Sequence, residues 1–281
     1  MNKKGCLIGF LISFALIVGF IAFTIINEEV KNPTVDGFRY SVQEDGTFML
    51  KRVIDAEIGK ELTIPSEVKG KPVTAIYYDA FKDNTTLEKV IIPSSVKKVN
   101  GFSGCTNLKE VKMGEGVERI EQEAFANCTG LTKIAIPMGV KYIGSEAFKG
   151  CTGLKEITFP STIEEIYVNA FEGCTGLTSF AWPASVKRME HDTFKDCTNL
   201  TVIDIPEGVE VLYCTFEGCT SLTSLTIPSS VTDVWGFSEC ENLERITYKG
   251  TKEQWMDLHG SQDVNGKCTV YCTDGSISDL D

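Results

Sequence analysis

Apolar side chains along this chain follow one phrase, repeated every 23 residues and shortened to 21 or 22 in some copies. In the copy that starts at Leu154, the apolar positions are Leu154, Ile157, Phe159, Ile163, Ile166, Ala170, Phe171 and Cys174. Ile157-Thr-Phe159 alternates with period two, and so does the stretch from Ile163 to Ile166. Both therefore read as short, half-buried strands. Pro160 lies between them, has no amide donor, and ends the first strand in a turn. The phrase closes on a phenylalanine, which recurs at Phe81, Phe102, Phe125, Phe148, Phe171, Phe194, Phe216 and Phe237. The proline recurs with it at Pro93, Pro137, Pro160, Pro183, Pro206 and Pro228, with Gly114 in that slot of one copy and Pro65 opening the series.

A period of this length marks a repeat array in which each unit covers its apolar face only against its neighbours. The predicted fold is a β-rich solenoid of about eight repeats with parallel strand ladders. At ~4.8 Å between strands, these would form a sheet about 40 Å long. Before the array, Phe38, Tyr40 and Val42 alternate, Asp45-Gly46 supplies a turn, and Phe48 and Leu50 alternate back, which predicts a capping hairpin. After it, Thr251-Lys-Glu-Gln254 is a capping-box pattern that opens a short helix stopped by Gly260, with Trp255 and Leu258 available to close the core. Residues 276–281 read as a frayed tail. The predicted organisation is a membrane segment at 1–26, a polar spacer at 27–36, an N-terminal cap at 37–64, the array at 65–248, and a C-terminal cap and tail at 249–281.

The strand core Leu177-Thr-Ser-Phe180-Ala-Trp182 fits Leu-x-x-Leu-x-Leu, the strand of leucine-rich repeats. The longer pattern, Leu-x-x-Ile-x-Ile-Pro-x-x-Val-x-x-Ile-x-x-x-Ala-Phe-x-x-Cys-Thr, resembles the BspA-type leucine-rich repeats of bacterial surface proteins over residues 62 to 248. The flanks Gly37-Phe-Arg-Tyr40 and Tyr248-Lys-Gly-Thr-Lys-Glu-Gln-Trp255 are similar to that family too. The resemblance implies a cell-surface or secreted scaffold for adhesion or cell contact, with an extracellular protein as partner, and it implies no catalytic residues and no cofactor.

Met1-Asn-Lys-Lys4 precedes an uncharged run over residues 7–26, from Leu7 to Ile26, long enough as a helix to cross a bilayer core. The two lysines inside, against Glu28 and Glu29 beyond, orient it with the N-terminus in the cytoplasm and the repeats outside. Thr24-Ile-Ile-Asn27 offers no small-residue cleavage site, so the segment reads as an uncleaved signal anchor, the alternative being a cleaved signal peptide and a secreted protein. Lys3 and Lys4 are the only charges before Glu28, so a net charge of −12 for the whole chain becomes −14 beyond the segment. That disfavours a nucleic-acid partner.

Seven cysteines occupy one slot of successive repeats, at Cys105, Cys128, Cys151, Cys174, Cys197, Cys219 and Cys240. A residue repeated at one slot of a solenoid reads as a small buried hydrophobe. Side chains aligned in parallel also reach the torsion of a disulfide poorly, so this is expected to be a ladder of buried thiols. Cys214, Cys268 and Cys272 lie off the ladder and are the better candidates for a bond or an exposed thiol. With two histidines and no metal-protease, serine-hydrolase or phosphate-loop motif, catalysis finds no support, and Glu190-His191-Asp192 reads as an exposed polar turn.

Binding information lies in the variable slots. The outward residue of the first strand reads Ile91, Lys112, Ala135, Thr158, Ala181, Asp204, Thr226 and Thr247, a small, polar column whose Lys112, Thr158 and Asp204 make the sheet face one candidate surface. Seven residues after the proline slot the column reads Asn100, Glu121, Gly144, Tyr167, Glu190, Tyr213 and Trp235. Its aromatic stretch, Tyr167, Tyr213 and Trp235 with Glu190 and Asp233 at the rim, is the second candidate, because exposed aromatics anchor protein interfaces. The competing reading is that Tyr213 and Trp235 fill space left in the short repeats.

Overall fold

The computed structural model describes residues 31–54, 58–213, 215–259, 264 and 266–278. The segment at residues 7–26 and Cys214 lie outside them. Among the described residues, no helix is long and apolar enough to cross a membrane.

The chain is a β-solenoid whose coils stack through three backbone strips. The first is a ladder of nine strands among the described residues: Glu61–Thr63, Lys89–Ile92, Glu110–Met113, Lys133–Ala135, Glu156–Thr158, Ser179–Phe180, Val202–Asp204, Ser224–Ile227 and Arg245–Tyr248. The second follows the proline turn: Lys71–Ile76, Lys98–Val99, Arg119–Ile120, Tyr142–Ile143, Glu165–Ile166, Arg188–Met189, Val211–Leu212 and Asp233–Val234. Pairing between successive coils is parallel, as Arg119↔Tyr142 and Ile120↔Ile143 illustrate. The second strand was expected from Ile163. It begins at Glu165, because the turn after Pro160 consumes residues up to Glu164. The third strip contains no strand, yet its amides are paired: Phe102 donates to Ala124, Phe125 to Ala147 and Phe148 to Ala170, at 2.8–2.9 Å. These coils therefore pair their backbone polar groups with those of their neighbours, as a buried backbone requires.

Repetition of one slot produces columns inside the core. The phenylalanine rings stack nearly parallel from Phe81 to Phe237, with centroids 4.9 Å apart at the first step and 6.4 Å at the last. The ladder cysteines are buried and free. Each thiol donates to the carbonyl of the phenylalanine one repeat back, Cys128 to Phe102 and Cys151 to Phe125 at 3.1 Å. Burial pushes the Cys105, Cys151 and Cys197 thiols up to about 12. Short repeats turn on glycine: Gly101 has φ +90, and a Cβ there would meet the Tyr77 carbonyl at 2.3 Å.

Caps close both ends of the core. Phe38–Val42 and Phe48–Val53 form the antiparallel hairpin, which joins Lys71–Ile76 in parallel and so prolongs the second ladder. At the other end, the helix Lys252–Asp257 carries the reciprocal Thr251–Gln254 capping box, and its buried Trp255 packs edge-on against Tyr248. Two expectations change here. Cys268 is fully buried and free, because the strand Thr269–Cys272 adds to Arg245–Tyr248 and carries it inward. Ser276 and Ile277 are not frayed but belong to the strand Gly275–Ile277, antiparallel to Thr269–Cys272.

Candidate functional site

Strand register decides which variable residues become neighbours. In the second ladder Met189 pairs with Leu212, and Leu212 with Val234. The residues that follow, Glu190, Tyr213 and Trp235, therefore stand on successive rungs. The Trp235 amide donates to Leu212 at 2.9 Å, so the alignment continues one residue past the strands. Tyr213 is 37% exposed and Trp235 43% exposed, both far above the core residues beside them. The short repeats thus do not draw these rings into the core.

Neighbouring groups hold the strip in place. His191 stacks on Tyr213 with centroids 4.8 Å apart and planes 13° from parallel. Asp192, which follows it, takes the left-handed turn, φ 58, that Glu123, Glu146 and Asn169 take in the same slot of earlier repeats. Sequence reading placed His191 in a polar turn and missed this role; its signal was its distance of one short repeat from Tyr213. His259, from the C-terminal cap, lies beside the last rung. Its Nδ1 is 2.9 Å from Asp233 Oδ1, and its carbonyl accepts from the Val234 amide. Hydrogen bonds from Thr232, then His259, hold the Asp233 carboxyl below its usual range. Tyr167 is less exposed and donates its hydroxyl to the Glu165 carboxylate, which raises its pKa.

The sheet-face residues lie on the first ladder. Lys112 is exposed and pairs in register with Ile91, while its ammonium is 3.0 Å from Glu110. Lys112 and Thr158 line one shallow depression of about 670 Å³ with Ala135 between them. Asp204, exposed beside Thr226, lies outside it. The structure therefore joins two of these three residues, and it keeps the face apart from the aromatic strip on the other ladder. Chemically, the face offers small polar groups and paired charges, and the strip offers rigid rings with an acidic rim. Among the described residues, no group of three or more His, Cys, Asp and Glu side chains is placed to hold a metal.

A family model described as BspA type leucine rich repeat region, with six copies, matches residues 74–201 and 118–244. The chain is similar to the T. pallidum leucine-rich repeat protein, whose crystal structure aligns with 27% identity, covers 76% of this chain and 91% of that one, and gives a TM-score of 0.54. A leucine rich cell surface protein from Faecalibacterium prausnitzii aligns with 21% identity over 81% of this chain and 97% of that one, at a TM-score of 0.48. No curated protein matches the chain.

Proposed function

The chain belongs to the BspA-type leucine-rich repeat family, and from that premise we propose that it is a membrane-anchored extracellular recognition scaffold, adhesin-like, that binds a protein or glycan ligand. The observation that carries this reading is the pair of half-exposed rings, Tyr213 and Trp235, fixed on consecutive rungs of a rigid ladder. Aromatic side chains held in place lose little entropy on binding, and they dominate the energetics of protein interfaces. Glu190 and Asp233 form a polar rim beside them. Residues 7–26 supply the anchor, with the repeats on the outside of the cell.

Capture of surface partners with the full chain, repeated with Tyr213→Ala and Trp235→Ala together, tests the site. Loss of about 2 kcal/mol or more of binding at a nearly unchanged melting temperature is expected. Intact binding with a large fall in melting temperature would move the ligand to the sheet face at Lys112, Thr158 and Asp204. Association state tests the alternative of a self-assembling envelope protein: a recognition scaffold stays monomeric at micromolar concentration, whereas concentration-dependent filaments would favour assembly. Intact mass of the membrane fraction checks the anchor, which a product beginning near Asn27 would refute.

A further inference from the structure

Successive coils are joined by three backbone strips, and at one junction two of the three are interrupted. Glu156–Thr158 does not pair with Ser179–Phe180, and Glu165–Ile166 does not pair with Arg188–Met189. In the first ladder these two strands are in looser contact than any other consecutive pair among the described residues, whereas Glu165–Ile166 and Arg188–Met189 stay as close as the paired strands on either side of them. The third strip remains intact: Asn169 donates to His191 at 3.0 Å, Phe171 to Thr193 at 3.0 Å and Gly173 to Lys195 at 2.8 Å. Elsewhere the first ladder breaks between Glu110–Met113 and Lys133–Ala135, but there the second ladder runs on through Arg119↔Tyr142.

Side-chain volume accounts for the opening. The two core slots of the first strand hold aliphatic pairs in most repeats, such as Ile134 with Ile136 and Ile203 with Ile205, whereas this junction holds Phe159, Phe180 and Trp182. Rings in a single slot stack flat and fit the ~4.8 Å strand repeat. Rings in different slots meet edge-on, as Phe159 and Phe180 do at 62° and Phe180 and Phe194 at 67°, and they need more room. The strands are wedged apart, leaving a cleft of about 510 Å³ lined by Phe159, Ser161, Ser179, Trp182 and Ala184. Ile64, Ile136 and Ile205 donate their amides to the next repeat at 2.9–3.2 Å, and the equivalent amide of Phe159 has no such bond. Charges do not bridge the gap either. Glu164 turns back to Lys141 at 2.8 Å, while Lys187 donates to the carbonyl of its own Ala184.

We propose that this junction is an articulation built into the solenoid: two rigid blocks, one ending near Ile166 and one beginning at Ser179, flex about the third strip and open or close the cleft on the first-ladder side. In a repeat array the interface between neighbours sets how cooperatively they fold, so a weak interface also decouples the blocks thermodynamically. The articulation is independent of the recognition reading, and it would hold whatever the chain binds.

Amide exchange and denaturant unfolding of the full chain test it. The Phe159 amide should exchange at least about tenfold faster than those of Ile136 and Ile205, and unfolding should proceed in two steps. In the variant carrying Phe159→Ile, Phe180→Ile and Trp182→Ile, which restores aliphatic slots, the amide at position 159 should slow to the level of its neighbours and the two steps should merge. Protection of the wild-type Phe159 amide equal to that of Ile136, or a single cooperative transition in the wild type, would overturn the proposal. Both wild-type readings decide the matter even if the triple variant fails to fold.

Discussion

The coils before Ile166 and those after Ser179 share the same stacked phenylalanines and thiols but meet solvent differently. In the first block one column reads Lys60, Glu88 and Lys109, and Glu88 bridges both lysines at 2.7 Å. The column continues through Thr132 and Lys155, and in the second block reads Thr178, Thr201, Thr223 and Glu244, where the Thr201 and Thr223 hydroxyls each donate to the carbonyl one repeat back, at 3.1 and 3.3 Å. At these positions one block ties its coils with screened charge pairs and the other with neutral hydrogen bonds, although charge pairs such as Lys195–Glu217 at 2.8 Å also join coils of the second block. Exposed rings occur in both blocks, Tyr78 in the first and Tyr213 and Trp235 in the second, and Tyr213 and Trp235 stand on consecutive rungs. A core carried entirely by repeated apolar slots leaves the outward slots free, so surface chemistry can differ between halves without altering the fold.

If the core is common to both blocks, truncating its ring should cost the same in each. Phe148→Ala and Phe216→Ala should each destabilise by about 3–5 kcal/mol in denaturant titrations, since both rings are fully buried in the stack. A difference of more than about 2 kcal/mol between them would break the equivalence.

Gly101→Ala probes the short repeat of the first block. It meets both a left-handed φ of +90 and the Tyr77 carbonyl, and a loss of about 1–3 kcal/mol is expected by thermal melting. An unchanged melting temperature would mean that the turn relaxes freely.

The period, the proline turn and every buried slot were legible in the sequence, because one side chain in one slot, repeated, has only its own copies to pack against. The Phe81 to Phe237 stack follows from that alone. What the sequence left hidden depends on contacts between different slots. The opened junction arises where Phe159 and Phe180 meet edge-on, and the His191–Tyr213 stack joins a turn residue to a ring on the next rung. Burial of Cys268 needs a strand added after the array. The candidate strip of Tyr167, Glu190, Tyr213 and Trp235 was readable as a column of residue types, but the exposure of its rings was not.

Smaller effects sharpen the contrast between the blocks. Thr223→Val removes one neutral hydrogen bond and should cost about 1 kcal/mol at any salt concentration. Glu88 should behave oppositely, with an effect that fades as salt is added. Hydrogen bonds from Lys109, then Lys60, lower its carboxyl from the usual range to about 2. A lowered folded pKa stabilises above the unfolded value, so its contribution is full above pH 4.5 and is lost as pH falls through about 2. Glu88→Gln should therefore lower the melting temperature at neutral pH and low salt, flatten the profile as pH falls from 4.5 to about 2, and leave the acid end little changed. A profile identical to that of the wild type would remove the charge column from the account.

The central claim, that recognition resides on the aromatic strip of the second block, is tested most directly by measuring affinity for the captured partner in two variants of the full chain. One carries Tyr213→Ala and Trp235→Ala, and the other carries Lys112→Ala and Asp204→Ala on the sheet face. The account predicts a loss of about 30-fold or more, equivalent to about 2 kcal/mol, for the strip variant and less than about threefold for the face variant, with melting temperatures close to the wild type. The reverse order, with the strip variant binding as the wild type does, would contradict it.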